Sequence, residues 1–387
     1  MPAKPTKVTI TFDDGSTADF GPAAAVNVPA TPLPTPVPPT PTPVPPAPTP
    51  TPPPVMALKR APALAARGDG FSYMNKPGLL TVLGDTLVDN FEQNIVAQNV
   101  GGVTLRNVVS ANAHRANVGD RFKGQAFYAS HAGPITLIGY AALMAGWQPP
   151  TDPRQRIGFF HGVYSNWGSG DVLLEDFVLW GCAHSGAQFR GIAEDPDVAP
   201  LVAGKVTPRR ITLRRGVIID CGIGVTAVAG NVSIDDVVIY KGHRWFEKKA
   251  DGSPSWPGDI AISSYTDTSL NNVLILGAPN QDQPTYGEPA NDPHYDLGAV
   301  MGSRRYNPHP ECSNGAKWTV SPGCRIRGWP GPHCSGDAPC PESLWQIDAR
   351  PPVEVNLDDL YGQLISGTRP VKDVRADLAA RLRLAAA

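Results

Sequence analysis

Two adjacent carboxylate pairs are the first residues that could do chemistry: Glu175-Asp176 and Asp235-Asp236. Carboxylates flanking a sugar bond divide the acid and the nucleophile or base roles in most glycoside hydrolases. The setting of these two pairs argues for a structural role instead. Each sits at a two-residue break between short apolar runs, and the same break holds Arg106-Asn107, Ile138-Gly139, Arg214-Arg215 and Asn271-Asn272 elsewhere. Stacked in sequence order, acidic, basic and acidic breaks make a column of alternating charge. Such exposed pairs contribute about 0–1 kcal/mol each and act mainly on register.

His161, His184 and His243 fall near similar breaks, where an imidazole is a candidate general base or an inert surface group. Cys312, Cys324, Cys334 and Cys340 crowd one Gly/Pro-rich stretch. They contain no Cys-x2-Cys pair, which weakens a zinc reading. Disulfides formed on exposure outside the cytoplasm are the expectation, with pairing left open and free thiols as the alternative. Cys182 and Cys221 read as buried small apolar residues. No metal or cofactor is expected.

The aromatic residues point to a ligand class. Trp147, Trp167, Trp180, Trp245, Trp256 and Tyr265 lie in or beside insertions between the apolar runs, most densely in the stretch from Arg244 to Trp256. Ring faces stack on sugar rings and a nearby arginine hydrogen-bonds hydroxyls. Trp167, Trp180, Arg244, Trp245, Trp256 and Tyr265 are therefore the expected glycan contacts. The competing role is packing beneath loops or between subunits.

The elements that must position these groups are repeated. One phrase recurs from Val103, Ile135, Val172, Ile211, Val232 and Thr268: a short alternating strand, a two-residue break, and a second short strand. The copies at Ile211 and Val232 are 21 residues apart, and longer intervals separate the others. A basic unit of about 20 residues with loops spliced in is the mark of a solenoid. In the copy at Ile211, Asp220-Cys221-Gly222 turns the chain again and Gly224 to Ala229 gives a third strand. Three strands and three corners per turn close a triangular coil, and stacked coils bury Ile, Val and Leu continuously.

Bulk properties exclude some partners. The chain has 387 residues, a formal net charge of -2, 39 glycines and 43 prolines. Near-balanced charge gives no footprint for nucleic acid or an anionic membrane. The sequence has no apolar run of membrane-spanning length and no secretory leader pattern, so synthesis in the cytoplasm without membrane insertion is expected.

The flanks differ from the body. Residues 1–27 contain Val8, Ile10 and Phe12 alternating with threonines, then Asp14-Gly15, the pattern of a β-hairpin. A lone hairpin is marginal in water, so it is expected to dock on something larger. Residues 28–55 are a Pro/Thr tract, an extended polyproline rod spanning on the order of 80 Å. The body is placed at 56–300, an irregular cysteine-bearing segment at 301–350, and a helical segment at 351–387. There Val371, Val374, Leu378 and Leu382 form one apolar stripe, which either packs on its own body or supplies a turn of a trimerising coiled coil.

The phrase, its Gly and Asn corners at Asn107 and Asn271-Asn272, and Cys182 and Cys221 at equivalent corners resemble the right-handed parallel β-helix proteins, the pectin-lyase-like superfamily. The resemblance covers roughly residues 95–300. With the hairpin and tether, the chain is most similar within that group to bacteriophage tailspike and head-spike proteins. The resemblance implies an all-β solenoid with an N-terminal hairpin anchor, a Pro-rich linker and short C-terminal helices. It further implies a homotrimer in the virion, docked to other virion proteins through the hairpin and binding bacterial surface polysaccharide. It does not carry catalysis over. Of the polygalacturonase motifs, Asp235-Asp236 alone matches, and Gly242-His243-Arg244 is a partial echo. A polysaccharide lyase or hydrolase, and a capsid decoration protein, are the alternatives.

Overall fold

The computed structural model describes residues 69–89, 92–113, 124–146, 161–166, 168–191, 209–228, 230–240, 260–278, 299–302, 317–329, 332–336 and 339–387, together with the backbone of four short strands at 8–11, 17–20, 246–248 and 254–257. The Pro/Thr tract lies outside these residues. The expected hairpin is present as the antiparallel strands Val8–Thr11 and Thr17–Phe20, with Val8 opposite Phe20.

The body is all-β: one 18-stranded sheet whose pairings are all parallel. Residues 69–89 and 93–111 each run as one long strand, paired in register from end to end except for shifts after Lys76 and Leu83. Later coils break into shorter strands, and three ladders result. The first joins residues 93–100 to Phe127–Ala132, His161–Ser165, Ser185–Phe189, Ile223–Ala227, Ile260–Ser264, Val300–Gly302 and Cys334–Ser335. The second stacks the first half of each repeated phrase, so that Val103, Ile135, Val172, Ile211, Val232 and Thr268 form one column. The third stacks the second half, ending at Gln346–Asp348.

Alternation along each strand sends neighbouring side chains to opposite faces. On the inner side of all three ladders, Ile95, Phe127, Leu137, Leu174, Leu213, Val225, Ile239 and Ile262 belong to one continuous core. The outer sides differ. The second ladder turns Thr136, Leu173, Thr212 and Ser233 outward, all partly exposed. The third ladder is apolar on both faces. Ala141, Leu143, Val178, Trp180, Val217, Ile219, Val238, Tyr240, Leu274 and Leu276 form a second apolar layer. That layer is covered by the two C-terminal helices, Asp358–Ser366 and Val371–Ala386.

The apolar stripe of the second helix therefore packs on its own body. Val374, Leu378 and Leu382 are fully buried there, so the stripe offers no seam to a coiled coil. The first helix opens with Asn356 accepting the Asp358 N–H at 3.0 Å and closes at Gly367 in the left-handed region, as a C-terminal cap requires.

The stretch 301–350, expected to be irregular, adds rungs instead. Trp318–Val320, Arg325–Arg327, Cys334–Ser335 and Gln346–Asp348 all pair in parallel with earlier coils. The cue was weak because these strands are only two or three residues long and lie between turns. Among the described residues, no helix is long and apolar enough to cross a membrane.

Candidate functional site

The corner between the second and third ladders places the two carboxylate pairs. Its second residue adopts the left-handed conformation in successive coils: Asn107, Gly139, Asp176, Arg215, Asp236 and Asn272, all with φ between 50° and 63°. Asn and Asp tolerate that region and Arg does so poorly. Arg215 is held there by Asp176, with Nε 3.0 Å from Oδ1, and by Glu175. Arg214 pairs with Glu175 at 2.6 Å. Asn271 donates to Asp235 at 2.6 Å and Asn272 to Asp236 at 2.9 Å.

The column also receives the last helix. Asn107 Oδ1 accepts the Val371 N–H at 3.1 Å, Asp176 pairs with Arg375 at 2.7 Å, and Asp236 pairs with Arg383 at 2.8 Å. Val371 to Arg383 spans about 18 Å of helix. The corners it bridges span about 19–24 Å at the usual strand spacing. The helix thus lies along the coil stack and touches it at intervals. Glu175, Asp176, Asp235 and Asp236 are all engaged in this register and docking network.

The expected glycan contacts fare unevenly. Trp167, Trp147, His243, Arg244 and Trp245, with the side chain of Trp256, lie outside the described residues, as does Cys312. Trp180 is 3% exposed and packs edge-on against Tyr361 with ring centroids 5.1 Å apart. It is part of the helix seam, and its faces are covered. Tyr265 is 7% exposed, at the turn after Ile260–Ser264.

The outer face of the first ladder brings together a set that the sequence reading did not single out. Register aligns Tyr128, Tyr164, Gln188, Thr226 and Ser263 in one outward column. The Tyr128 and Tyr164 rings lie 5.6 Å apart, and Asn166 Nδ2 reaches the Tyr128 hydroxyl at 3.5 Å. Arg209 donates from Nη1 to Ser165 Oγ at 2.8 Å and also bonds the Arg190 carbonyl. Tyr128, Arg190 and Arg209 keep partial exposure. Two of the expected histidines join this face. His161 is fully buried against the Tyr164 ring, 4.6 Å away, and against His184, 4.8 Å away.

The histidines are neutral at pH 7. Burial pushes His184 down to about 4. Burial, reinforced by His184 and Arg190, holds His161 well below the usual imidazole range. His184 Nδ1 lies 2.8 Å from Ser185 Oγ, which lies 3.1 Å from Thr226 Oγ1. An imidazole beside a hydroxyl is the arrangement that activates a nucleophile. Here the hydroxyl is fully buried and the base is weak at neutral pH, so the pair suits fixed hydrogen bonding better than proton transfer.

A signal for this column was present. Counting back from each phrase, Tyr128 precedes Ile135, Tyr164 precedes Val172, Thr226 precedes Val232 and Ser263 precedes Thr268 by 7, 8, 6 and 5 residues. The long insertion before Ile211 hides Gln188 from that count.

Among the described residues, no group of His, Cys, Asp and Glu is arranged to hold a metal ion. No protein-family model, no curated protein and no solved structure matches this chain.

Proposed function

We propose that the three ladders wind as a right-handed parallel β-helix and that the chain is a bacteriophage virion spike or fibre protein. The hairpin docks to other virion proteins, the Pro/Thr tract holds the body away from the particle, and the body binds host surface polysaccharide during adsorption. The observation that carries this reading is the order of parts: hairpin strands, a Pro/Thr-rich tract in the sequence, then a long parallel stack whose first ladder keeps Tyr128, Arg190 and Arg209 partly exposed. Tyr128 offers a ring for sugar stacking, and Arg190 and Arg209 offer donors for hydroxyls. Trp167, Arg244, Trp245 and Trp256 remain proposed contacts on this reading. A homotrimer places copies side by side. The third ladder is already sealed by its own helices, so the first or second ladder forms the contact between subunits.

A second reading is a polysaccharide lyase or glycoside hydrolase, favoured by the histidine pair and Arg209 on one face. One experiment separates the two. The purified chain is incubated with capsular or O-antigen polysaccharide from the host, and bound glycan, reducing ends and absorbance of unsaturated products are measured. Binding without product is the expected result. Release of either product would replace the spike reading with the enzymatic one.

A further inference from the structure

The first coil, Asp69–Asp89, has a neighbour on one side only. Its strand pairs with residues 93–111, and among the described residues no strand pairs along its other edge. A solenoid needs a cap at such an end. Without one, the terminal coil shows its inward side chains at the mouth and leaves a row of unpaired N–H and C=O groups. Two observations point to a cap here. The inward side chains of this coil are shut off from solvent: Tyr73, Leu80, Val82 and Val88 are only 1–6% exposed and belong to the continuous core. The strand Val8–Thr11 lies against Asp69–Asp89, with Cα atoms within 8 Å.

The hairpin suits that place. Its register sets Val8 opposite Phe20 and Ile10 opposite Ala18. Directly opposed residues share a face, and alternation along each strand does the rest. Val8, Ile10, Ala18 and Phe20 therefore lie on one face of the ribbon, and Thr9, Thr11, Thr17 and Asp19 on the other. A two-stranded ribbon with one apolar face is marginal in water and needs a surface to cover. The mouth of the first coil is an apolar surface of the same chain, and the hairpin already stands beside it.

We propose that the hairpin is the cap of the first coil: in the free chain it seats its apolar face on the mouth of its own body and keeps a second copy from adding there. The rim shows what the cap guards against. Met74, Leu79, Leu83 and Leu87, on outward positions of the same strand, are 39–60% exposed, and they are four of the seven exposed large apolar side chains among the described residues. Their register partners in the next coil are Gln98, Gly102, Arg106 and Val109, of which only Val109 is a large apolar residue, and the C-terminal helices bury it. Uncapped, this end joins an apolar rim to an apolar mouth and an unpaired edge, a combination that draws strands from other chains. The cap belongs to the free chain and goes beyond the anchoring role proposed above, which begins when a particle takes the hairpin over.

The test compares amide hydrogen exchange in the full-length chain, in Ile10→Asp and in Thr9→Asp, with neither particle nor polysaccharide present, so its outcome is independent of the spike reading. Ile10→Asp puts a carboxylate on the apolar face and should speed exchange at 69–89 by at least about fivefold. Thr9→Asp adds the same charge one residue away, on the polar face, and should leave exchange there within about twofold of the unaltered chain. Residues 211–219 and 358–386 should exchange alike in all three, which reports that the body stays folded. Phe20→Asp, on the same face from the other strand, repeats the test if Ile10→Asp loosens the body. Exchange at 69–89 that is the same in the unaltered chain and in the apolar-face variants would overturn the proposal, and so would an equal rise in Thr9→Asp. Protection at 69–89 that grows with the concentration of the unaltered chain would also overturn it, by making a second copy the occupant.

Discussion

The outer faces of the first and third ladders come from the same coils and differ in chemistry, polar on one and apolar on the other. The third ladder carries runs such as Phe177-Val178-Leu179-Trp180, Gly216-Val217-Ile218-Ile219 and Val237-Val238-Ile239-Tyr240, apolar at nearly every position and buried on both sides. The first ladder alternates. Val163 faces the core and Tyr164 faces out; Val225 faces the core and Thr226 faces out. Continuous apolar strands are what a sheet covered on both faces needs, and alternation is what a one-sided core needs. One outer face is therefore consumed by the chain's own helices. The other is furnished with polar and aromatic groups, most of them buried, with Tyr128, Arg190 and Arg209 keeping partial exposure.

The sharpest way to break that contrast is to remove residues 351–387. Leu357, Leu360, Leu364, Val371, Val374, Leu378 and Leu382 are all buried against the third ladder. At ~1.5–3 kcal/mol per side chain the cover contributes on the order of 10 kcal/mol, comparable to the whole stability of a domain. The truncated chain should aggregate or lose its cooperative melt in a thermal scan. Leu378→Asp, which puts one charge into the same seam, should destabilise by roughly 3–5 kcal/mol in urea unfolding.

Acid should act on the other face. His184 titrates at about 4 when folded and at about 6.5 when unfolded. Between those values the unfolded chain holds the proton and the folded chain does not. Stability is therefore full above about pH 6.5 and falls by ~3 kcal/mol as pH drops to about 4. His161 acts in the same direction. Urea unfolding at several pH values should show this slope, and His184→Gln should reduce it, leaving the contribution of His161.

Smaller effects belong to the seam's polar border. Arg375→Ala removes the helix's tie to Asp176, which keeps its bonds to Arg215. A loss of about 1–2 kcal/mol in urea unfolding is expected. Tyr128→Ala, on the partly exposed end of the first-ladder column, should cost no more than about 1–2 kcal/mol in stability while abolishing polysaccharide binding.

Much of the fold was legible because the phrase repeats. Its two halves and the third strand after Asp220 are the three ladders, and the basic corner pairs with the acidic corner before it, while Asp235 and Asp236 bond Asn271, Asn272 and Arg383 instead. The C-terminal stripe was legible as a buried face. Its partner went unrecognised, because four consecutive apolar residues in a short strand look the same whether one face or two are buried. That ambiguity is why Trp180 read as a ligand contact when its column neighbours, Leu143, Ile219 and Tyr240, place it under Tyr361. The first-ladder site was obscured for a different reason. Its strands are only five or six residues long, and insertions separate several of them from the phrase that would have fixed their register.

Amide hydrogen exchange with and without host polysaccharide tests the central claim most directly. Added protection is expected at 127–132, 161–166 and 185–191, with residues 358–386 unchanged. Protection confined to the C-terminal helices and the third ladder, or none at saturating polysaccharide, would contradict it.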